Sequence, residues 1–334
     1  MVRISFLITG LLSFGITALS GLALIPWLKK VKYGQTIKEI GPTWHQSKQG
    51  TPTMGGLMFI LGSIAGICSG YTLLIGGIKD VVGPMYINQV SSMVISMLTA
   101  LAFGAIGYLD DHIKVVQKRN LGLKARYKIV LQIIVTGLFL FGQYSIGHIS
   151  TLIDLPFIGQ IELGYYYYLI AFLGIIFMVN AVNLTDGIDG LCSSVTFIVA
   201  LGFMIISAAY GFYTNALFAV AIAGGCGGFL VWNFFPARVF MGDTGSMFLG
   251  GAVVAMAWAI NRPEILLIIG IIYTCEALSV VIQVTYFKIT HGKRIFKMSP
   301  IHHHFEMSGW SEIKIVTIFS IIALIFAVLA FLTF

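Results

Sequence analysis

Residues 165–209 read YYYYLIAFLGIIFMVNAVNLTDGIDGLCSSVTFIVALGFMIISAA. Two apolar runs, each close to the roughly 20 residues needed to cross a bilayer, flank a short loop rich in Asn, Asp and Gly. Such a pair reads as two membrane helices joined at the water interface. The same signature recurs at about 4–28, 54–74, 90–109, 129–147, 165–182, 191–209, 214–235, 245–260, 263–287 and 313–334. It predicts an all-α polytopic membrane protein with about ten transmembrane helices. Composition agrees: of 334 residues, 58% are hydrophobic and only 10% charged, against about 25% charged in soluble domains. An ordinary soluble enzyme, a disordered chain and a disulfide scaffold are excluded. The first segment is too long and too punctuated by glycine for a signal peptide. There is no internal repeat and no separate soluble domain, so 1–334 reads as one integral membrane domain. Cys68, Cys192, Cys226 and Cys275 lack metal-ligand spacing and read as small buried hydrophobes.

Charge orients the chain. Loops 29–53, 110–128, 183–190, 236–246 and 288–312 hold 16 of the 20 Lys and Arg, whereas the alternate loops hold only Lys79 and Arg262. Positive charge collects on the cytoplasmic side, which places the first set of loops in the cytoplasm and both termini outside. Asp110, Asp111, Asp186, Asp189 and Asp243 fall in or beside the same loops, as do His45, His112, His291, His302, His303 and His304; His148 alone falls opposite. A single loop charge is usually a solvated surface group. Five Asp beside apolar segments in short loops are costly and point to function. The excess of cations fits an anionic substrate or lipid rather than nucleic acid.

Four constellations carry chemistry. Gly107-Tyr108-Leu109-Asp110-Asp111-His112-Ile113-Lys114 closes the third segment. Adjacent carboxylates repel unless a cation is near, and Mg²⁺ shared with phosphate is a natural partner. Without a metal, one Asp gains a raised pKa and can act as a base; a plain helix-end surface pair is the competing reading. Asn180-Ala181-Val182-Asn183-Leu184-Thr185-Asp186-Gly187-Ile188-Asp189-Gly190 offers two carboxylates and free backbone N–H groups, suited to Mg²⁺, phosphate or a base edge, or simply forms a polar turn. Trp232–Ser246 carries Gly242-Asp243-Thr244-Gly245-Ser246, which could hold a metal with its phosphate, and Phe240, which could stack on a base. Otherwise Thr244 or Ser246 caps the next helix and Phe240 dips into lipid. Ser299–Glu306 contains His302, His303 and His304; consecutive His cannot all face one metal from a regular element, which disfavours a zinc triad and favours phosphate or carboxylate binding. Lys293–Met298 mixes cations with apolar residues, as an interfacial helix does. Glu276, deep in the ninth segment, pairs locally or perturbs its helix and receives no catalytic role. Tyr165–Tyr168 reads as an aromatic belt on the outer side.

Together these motifs resemble the phospho-N-acetylmuramoyl-pentapeptide transferase family, within the polyprenyl-phosphate N-acetylhexosamine-1-phosphate transferase superfamily. The resemblance spans nearly the whole chain. It includes Thr51-Pro52-Thr53-Met54-Gly55-Gly56, Asp110-Asp111, Ala125-Arg126-Tyr127-Lys128, Asn183–Gly190, Trp232-Asn233, Gly242–Ser246 and the triple His. It implies transfer of phospho-N-acetylmuramoyl-pentapeptide from UDP-N-acetylmuramoyl-pentapeptide to undecaprenyl phosphate, giving lipid I and UMP, in the bacterial inner (plasma) membrane. It implies Mg²⁺ as cofactor, Asp243 as its ligand, and a homodimer. Asp110 and Asp111 would handle the acceptor phosphate, Asp110 as the preferred base. Asp189, Phe240 and the backbone near Gly187 and Ile188 would hold uridine, aided by Lys48. Lys114, Lys128, Asn180, Asn183, Asp186, Asn233, His303 and His304 would line the phosphate and sugar region, with His302 counted among the catalytic groups.

Two other functions compete. A sister transferase using UDP-N-acetylglucosamine shares the Asp pair and the Asn/Asp loop, but the triple His argues against it. A transporter of an anionic solute would place its polar groups near the midplane, often in two related halves; here the carboxylates gather at one face and the halves do not match. Sequence leaves open whether the lipid phosphate attacks directly or an Asp first forms a phospho-enzyme.

Overall fold

The computed structural model describes residues 2–31, 48–77, 84–116, 122–155 and 158–333. His45 and the loop cations Lys32, Lys38, Lys79, Lys118 and Arg119 lie outside them. Among the described residues, twelve α-helices follow one another: α1 (Val2–Lys30), α2 (Gly56–Gly77), α3 (Pro84–Val116), α4 (Ala125–Ser145), α5 (Tyr166–Thr185), α6 (Leu191–Ala209), α7 (Tyr213–Asn233), α8 (Gly242–Ala259), α9 (Leu266–Ile269), α10 (Ile271–Ile289), α11 (Ile301–Glu306) and α12 (Glu312–Thr333).

α1 shows the packing logic. Its buried residues are Ser5, Thr9, Ser13, Thr17, Gly21, Ile25 and Leu28, a stripe at close to four-residue spacing, while Ile4, Leu7, Leu11, Leu19 and Leu22 are exposed. This inverts a soluble helix. In lipid, large apolar side chains gain nothing by hiding, and small residues let backbones approach and exchange hydrogen bonds. Ser13 Oγ donates to the Ala221 carbonyl at 2.6 Å and Trp232 Nε1 donates to that of Ala18 at 2.8 Å, fastening α1 to α7.

All ten expected apolar segments are helical, but they are not ten equivalent spans. Eight helices among the described residues are long and apolar enough to cross a membrane. The segment at 263–287 is broken: a 3₁₀ turn (Pro263–Ile265) and α9 meet α10 at Gly270 with a bend of 81°. α8 is the other departure. It has 18 residues, and everything from Thr244 to Ala259 is buried, so it is a central post of about 27 Å surrounded by α2, α3, α5, α6 and α7.

The described loops meet at two ends of the bundle. At one end Lys48 meets Asp189 and Glu312, and Lys128 meets Asp243. At the other, His148 Nε2 lies 2.9 Å from the Ala259 carbonyl, Ser150 N donates to Asn261 Oδ1 and Thr214 Oγ1 donates to the Gln89 carbonyl. The far end also holds an element absent from the all-α expectation. Strands β1 (Leu152–Leu155) and β2 (Gly159–Glu162) pair antiparallel, pinned by Arg262 Nη1 to Asp154 Oδ2 at 2.9 Å.

Three smaller expectations are corrected. Lys293–Met298 is irregular, because α10 ends at Ile289 and the chain makes no helix until Ile301. The aromatic belt loses Tyr167, which is buried in the core while Tyr165 and Tyr166 are exposed. Cys192 and Cys226 are buried, but Cys68 and Cys275 are exposed on the helix surface.

Candidate active site

α3 has 33 residues and is about 50 Å long, well beyond a hydrocarbon core of about 30 Å. Its last turns therefore overhang, and they carry Asp110, Asp111 and Lys114. α8 begins beside them. Its N-cap residue, Met241, provides no side-chain cap, and a helix start leaves N–H groups without partners. Asp111 supplies the cap from the neighbouring helix: it accepts from Asp243 N at 3.2 Å, Thr244 N at 2.9 Å and Thr244 Oγ1 at 2.7 Å. Gly242 makes this approach possible. It has φ +69°, and a Cβ there would lie 2.5 Å from Asp111 Oδ2, so a side chain is opposed both by backbone strain and by the carboxylate.

Asp243 thereby stands on the positive end of α8. Its Oδ2 lies 3.0 Å from Lys114 Nζ and 3.0 Å from Lys128 Nζ, and its Oδ1 accepts from Asn183 Nδ2 at 3.0 Å. Asn183 also donates to Ser246 Oγ at 2.7 Å. Asp110 accepts from Leu123 N at 2.8 Å and pairs with Lys114 at 2.5 Å. One oxygen each from Asp110, Asp111 and Asp243 lie within 4.8 Å of one another. An all-oxygen set of three carboxylates fits a hard divalent cation. The flanking ammonium groups fit the phosphate oxygens that such a cation shares.

The second part of the site is built on the 183–190 loop. Asp189 is buried and fully engaged: Lys48 Nζ reaches Oδ1 at 2.7 Å, Ala237 N donates to Oδ2 at 2.8 Å, and its own N–H donates to Glu312 Oε2 at 3.0 Å. Glu312 also binds Lys48 at 2.7 Å. Phe240 is tied by its backbone to the 51–56 segment, donating to the Pro52 carbonyl and accepting from Gly55 N. Gly187 is exposed on this face and Ile188 is buried behind it. Burial first, then repulsion from Asp243, Asp111 and Asp189, push the Asp186 carboxyl well above the ordinary carboxylate range. It holds a proton more readily than a free carboxyl and can donate a hydrogen bond.

Several residues expected at the site face elsewhere. Asn180 exchanges hydrogen bonds with Gln132 at 2.8 and 3.2 Å, locking α5 to α4. Asn233 is buried, accepting from Ser193 Oγ at 3.1 Å and donating to the Val239 carbonyl at 3.0 Å. His302 is wholly buried behind the 183–190 loop, with Nδ1 at 3.0 Å from Glu276 Oε2. His303 Nδ1 lies 2.6 Å from Glu306 Oε2, and His304 Nδ1 accepts from Lys297 N at 3.1 Å. Sequence reasoning missed Glu312 and Gln132. Of these only Glu312, an acid opening an apolar run, carried a visible signal.

Residues 48–60 match signature 1 of phospho-N-acetylmuramoyl-pentapeptide-transferase, and residues 93–261 match glycosyl transferase family 4. Among curated proteins, the phospho-N-acetylmuramoyl-pentapeptide-transferase of Clostridium perfringens (strain SM101) is 46% identical over 321 residues, covering 96% of this chain and 94% of that protein. The chain belongs to the phospho-N-acetylmuramoyl-pentapeptide-transferase family. Relatives of the same name from Clostridium botulinum (strain Alaska E43) and Halalkalibacterium halodurans are 44% and 43% identical, each over at least 96% of this chain. Membership of the phospho-N-acetylmuramoyl-pentapeptide-transferase family makes the protein a phosphotransferase with multiple membrane helices. The 48–60 signature falls on the segment that fixes Lys48 and packs Gly55 and Gly56 against the 240–241 backbone.

Proposed function

We propose that the protein transfers phospho-N-acetylmuramoyl-pentapeptide from its UDP-linked precursor to undecaprenyl phosphate, releasing UMP, at the cytoplasmic face of a bacterial plasma membrane. The observation that carries this reading is the meeting of Asp110, Asp111 and Asp243 with Lys114 and Lys128 at one end of the apolar bundle. A soluble polyanion and a membrane phosphate meet at such a boundary. Phosphoryl transfer is chiefly positioning and charge neutralisation, and this cluster offers both.

In this reading Asp243 would hold Mg²⁺, which would supply charge neutralisation on the transferring phosphoryl oxygens. Lys114 and Lys128 bind the phosphate oxygens. Asp111 spends its carboxylate on the start of α8 and fixes Asp243 in place. Asp110 receives the acceptor's proton, and the ionised lipid phosphate attacks the β-phosphate directly. The 183–190 loop, with Phe240 and Lys48, receives the nucleotide. The test is UMP release by purified protein, expected to require both Mg²⁺ and added polyprenyl phosphate; release of UMP indifferent to either would refute the assignment. The homodimer belongs to the same proposal and is read from the mass of the protein in nanodiscs.

The orientation has its own test. A cysteine at Gln49 should be shielded from an impermeant thiol reagent in intact cells, and one at Gln160, on the hairpin at the opposite end, should be labelled. The reverse pattern would turn the molecule over and move the site to the outer face.

A further inference from the structure

Glu276 is the sixth of the 19 residues of α10 and has no exposed surface, and His302, also with none, is the second residue of α11. Nδ1 of His302 is 3.0 Å from Glu276 Oε2, and the His302 backbone N–H points to the same oxygen at 3.5 Å. The carboxylate accepts, so Nδ1 carries the proton and Nε2 is left as the free ring nitrogen. That nitrogen has no hydrogen-bond partner. Buried polar atoms without partners are few, and each asks for a reason.

The ring's neighbour supplies one. A Cβ on Gly187 would lie 2.1 Å from Nε2 and 2.5 Å from the adjoining ring carbon. The Gly187 backbone therefore rests on the edge of the imidazole, its other side exposed. Only a residue without a side chain can sit there, and only with the ring held in this orientation. Gly187 is the centre of the loop whose ends are Asn183, on Asp243, and Asp189, on Lys48 and Glu312.

We infer that Glu276 is a positioning residue that acts through His302 to hold the 186–189 backbone in the conformation that binds the nucleotide-sugar donor. Its role lies in α10, below the bend at Gly270, so that the broken span feeds directly into the donor site. The inference rests on the proposed function, in which this loop takes the nucleotide.

Glu276→Leu removes the acceptor at similar volume and leaves a buried N–H unpaired, and His302→Ala removes the ring. Each should raise KM for the UDP-linked donor about tenfold or more, with kcat within about threefold and KM for polyprenyl phosphate unchanged, the pattern of lost uniform binding. Glu276→Gln keeps an acceptor and should restore donor KM to within about threefold of the parent. Adding Glu276→Leu to His302→Ala should change donor KM no further. A donor KM at the parent value in Glu276→Leu or His302→Ala would overturn the inference, as would a fall in kcat alone, which marks less folded enzyme. If Glu276→Leu does not accumulate, the contrast between His302→Ala and Glu276→Gln decides, and equal donor KM in the two would overturn it. The proposed function fails separately, by absence of UMP release from the unaltered protein.

Discussion

Asp243→Asn is expected to lower turnover about a thousandfold or more, the scale of losing metal-assisted charge neutralisation at a transferring phosphoryl group. The substitution keeps the shape of the side chain and one carbonyl oxygen to accept from Asn183. It removes the charge that balances Lys114 and Lys128, both at 3.0 Å. Two ammonium groups then share a half-buried space with an amide, and a cation is repelled from it. Mg²⁺ titration of the residual activity should shift to higher concentration. The thermal unfolding midpoint of the purified variant separates this from collapse of the fold, since removing one partner of a buried pair also destabilises. Near-normal turnover with the parent Mg²⁺ dependence would take Asp243 out of the metal shell.

Asp110→Asn should reduce kcat by roughly a hundredfold to ten-thousandfold, the contribution of a general base, and leave donor KM nearly unchanged. Asn still accepts from Leu123 N, so the 122–125 turn is preserved; what is lost is the oxygen facing Lys114. A lipid phosphate has a second pKa near about 6, by analogy with phosphoserine. Raising the pH ionises it without help, so the variant should recover part of its rate at alkaline pH. Asp111→Asn should fail differently. Its carboxylate receives three donors at the start of α8, and the amide weakens that cap, displacing Asp243 and raising the Mg²⁺ requirement. A covalent route makes another forecast: exchange of labelled UMP into the donor with no lipid acceptor present. Such exchange by rigorously delipidated protein would replace direct attack with a phospho-enzyme.

The sequence disclosed most where one strong physical demand acts along the chain. Crossing a bilayer demands about 20 apolar residues, so the helical segments were legible. The break at Gly270 was not legible, because hydropathy registers composition and not direction. The hairpin at 152–162 escaped for a related reason: four-residue strands in a polar loop carry almost no periodic signal. In the site, the carboxylates stood out because charges beside the membrane are costly, and Lys114 by its spacing from Asp110, whereas Lys48 and Lys128 came from the family resemblance alone. Asn180 and Asn233 came with the motifs, and the structure bonds them to Gln132 and Val239. Inside a bundle an amide can be spent on a neighbouring helix, and sequence does not distinguish an amide that binds a substrate from one that binds Gln132 or Val239. The pairing of Glu276 with His302 was not legible for a third reason: each residue stood out by itself, but 26 residues separate them.

α8 is enclosed by other helices from Thr244 to Ala259 and carries Asp243 in its first turn. A packed interior transmits any change of volume, so substitutions along this helix shift the carboxylate at its tip. In the proposed function, an inhibitor that engages the tip of α8 would meet a target with few routes to resistance, because a mutation that loosens the drug would also disarm the enzyme.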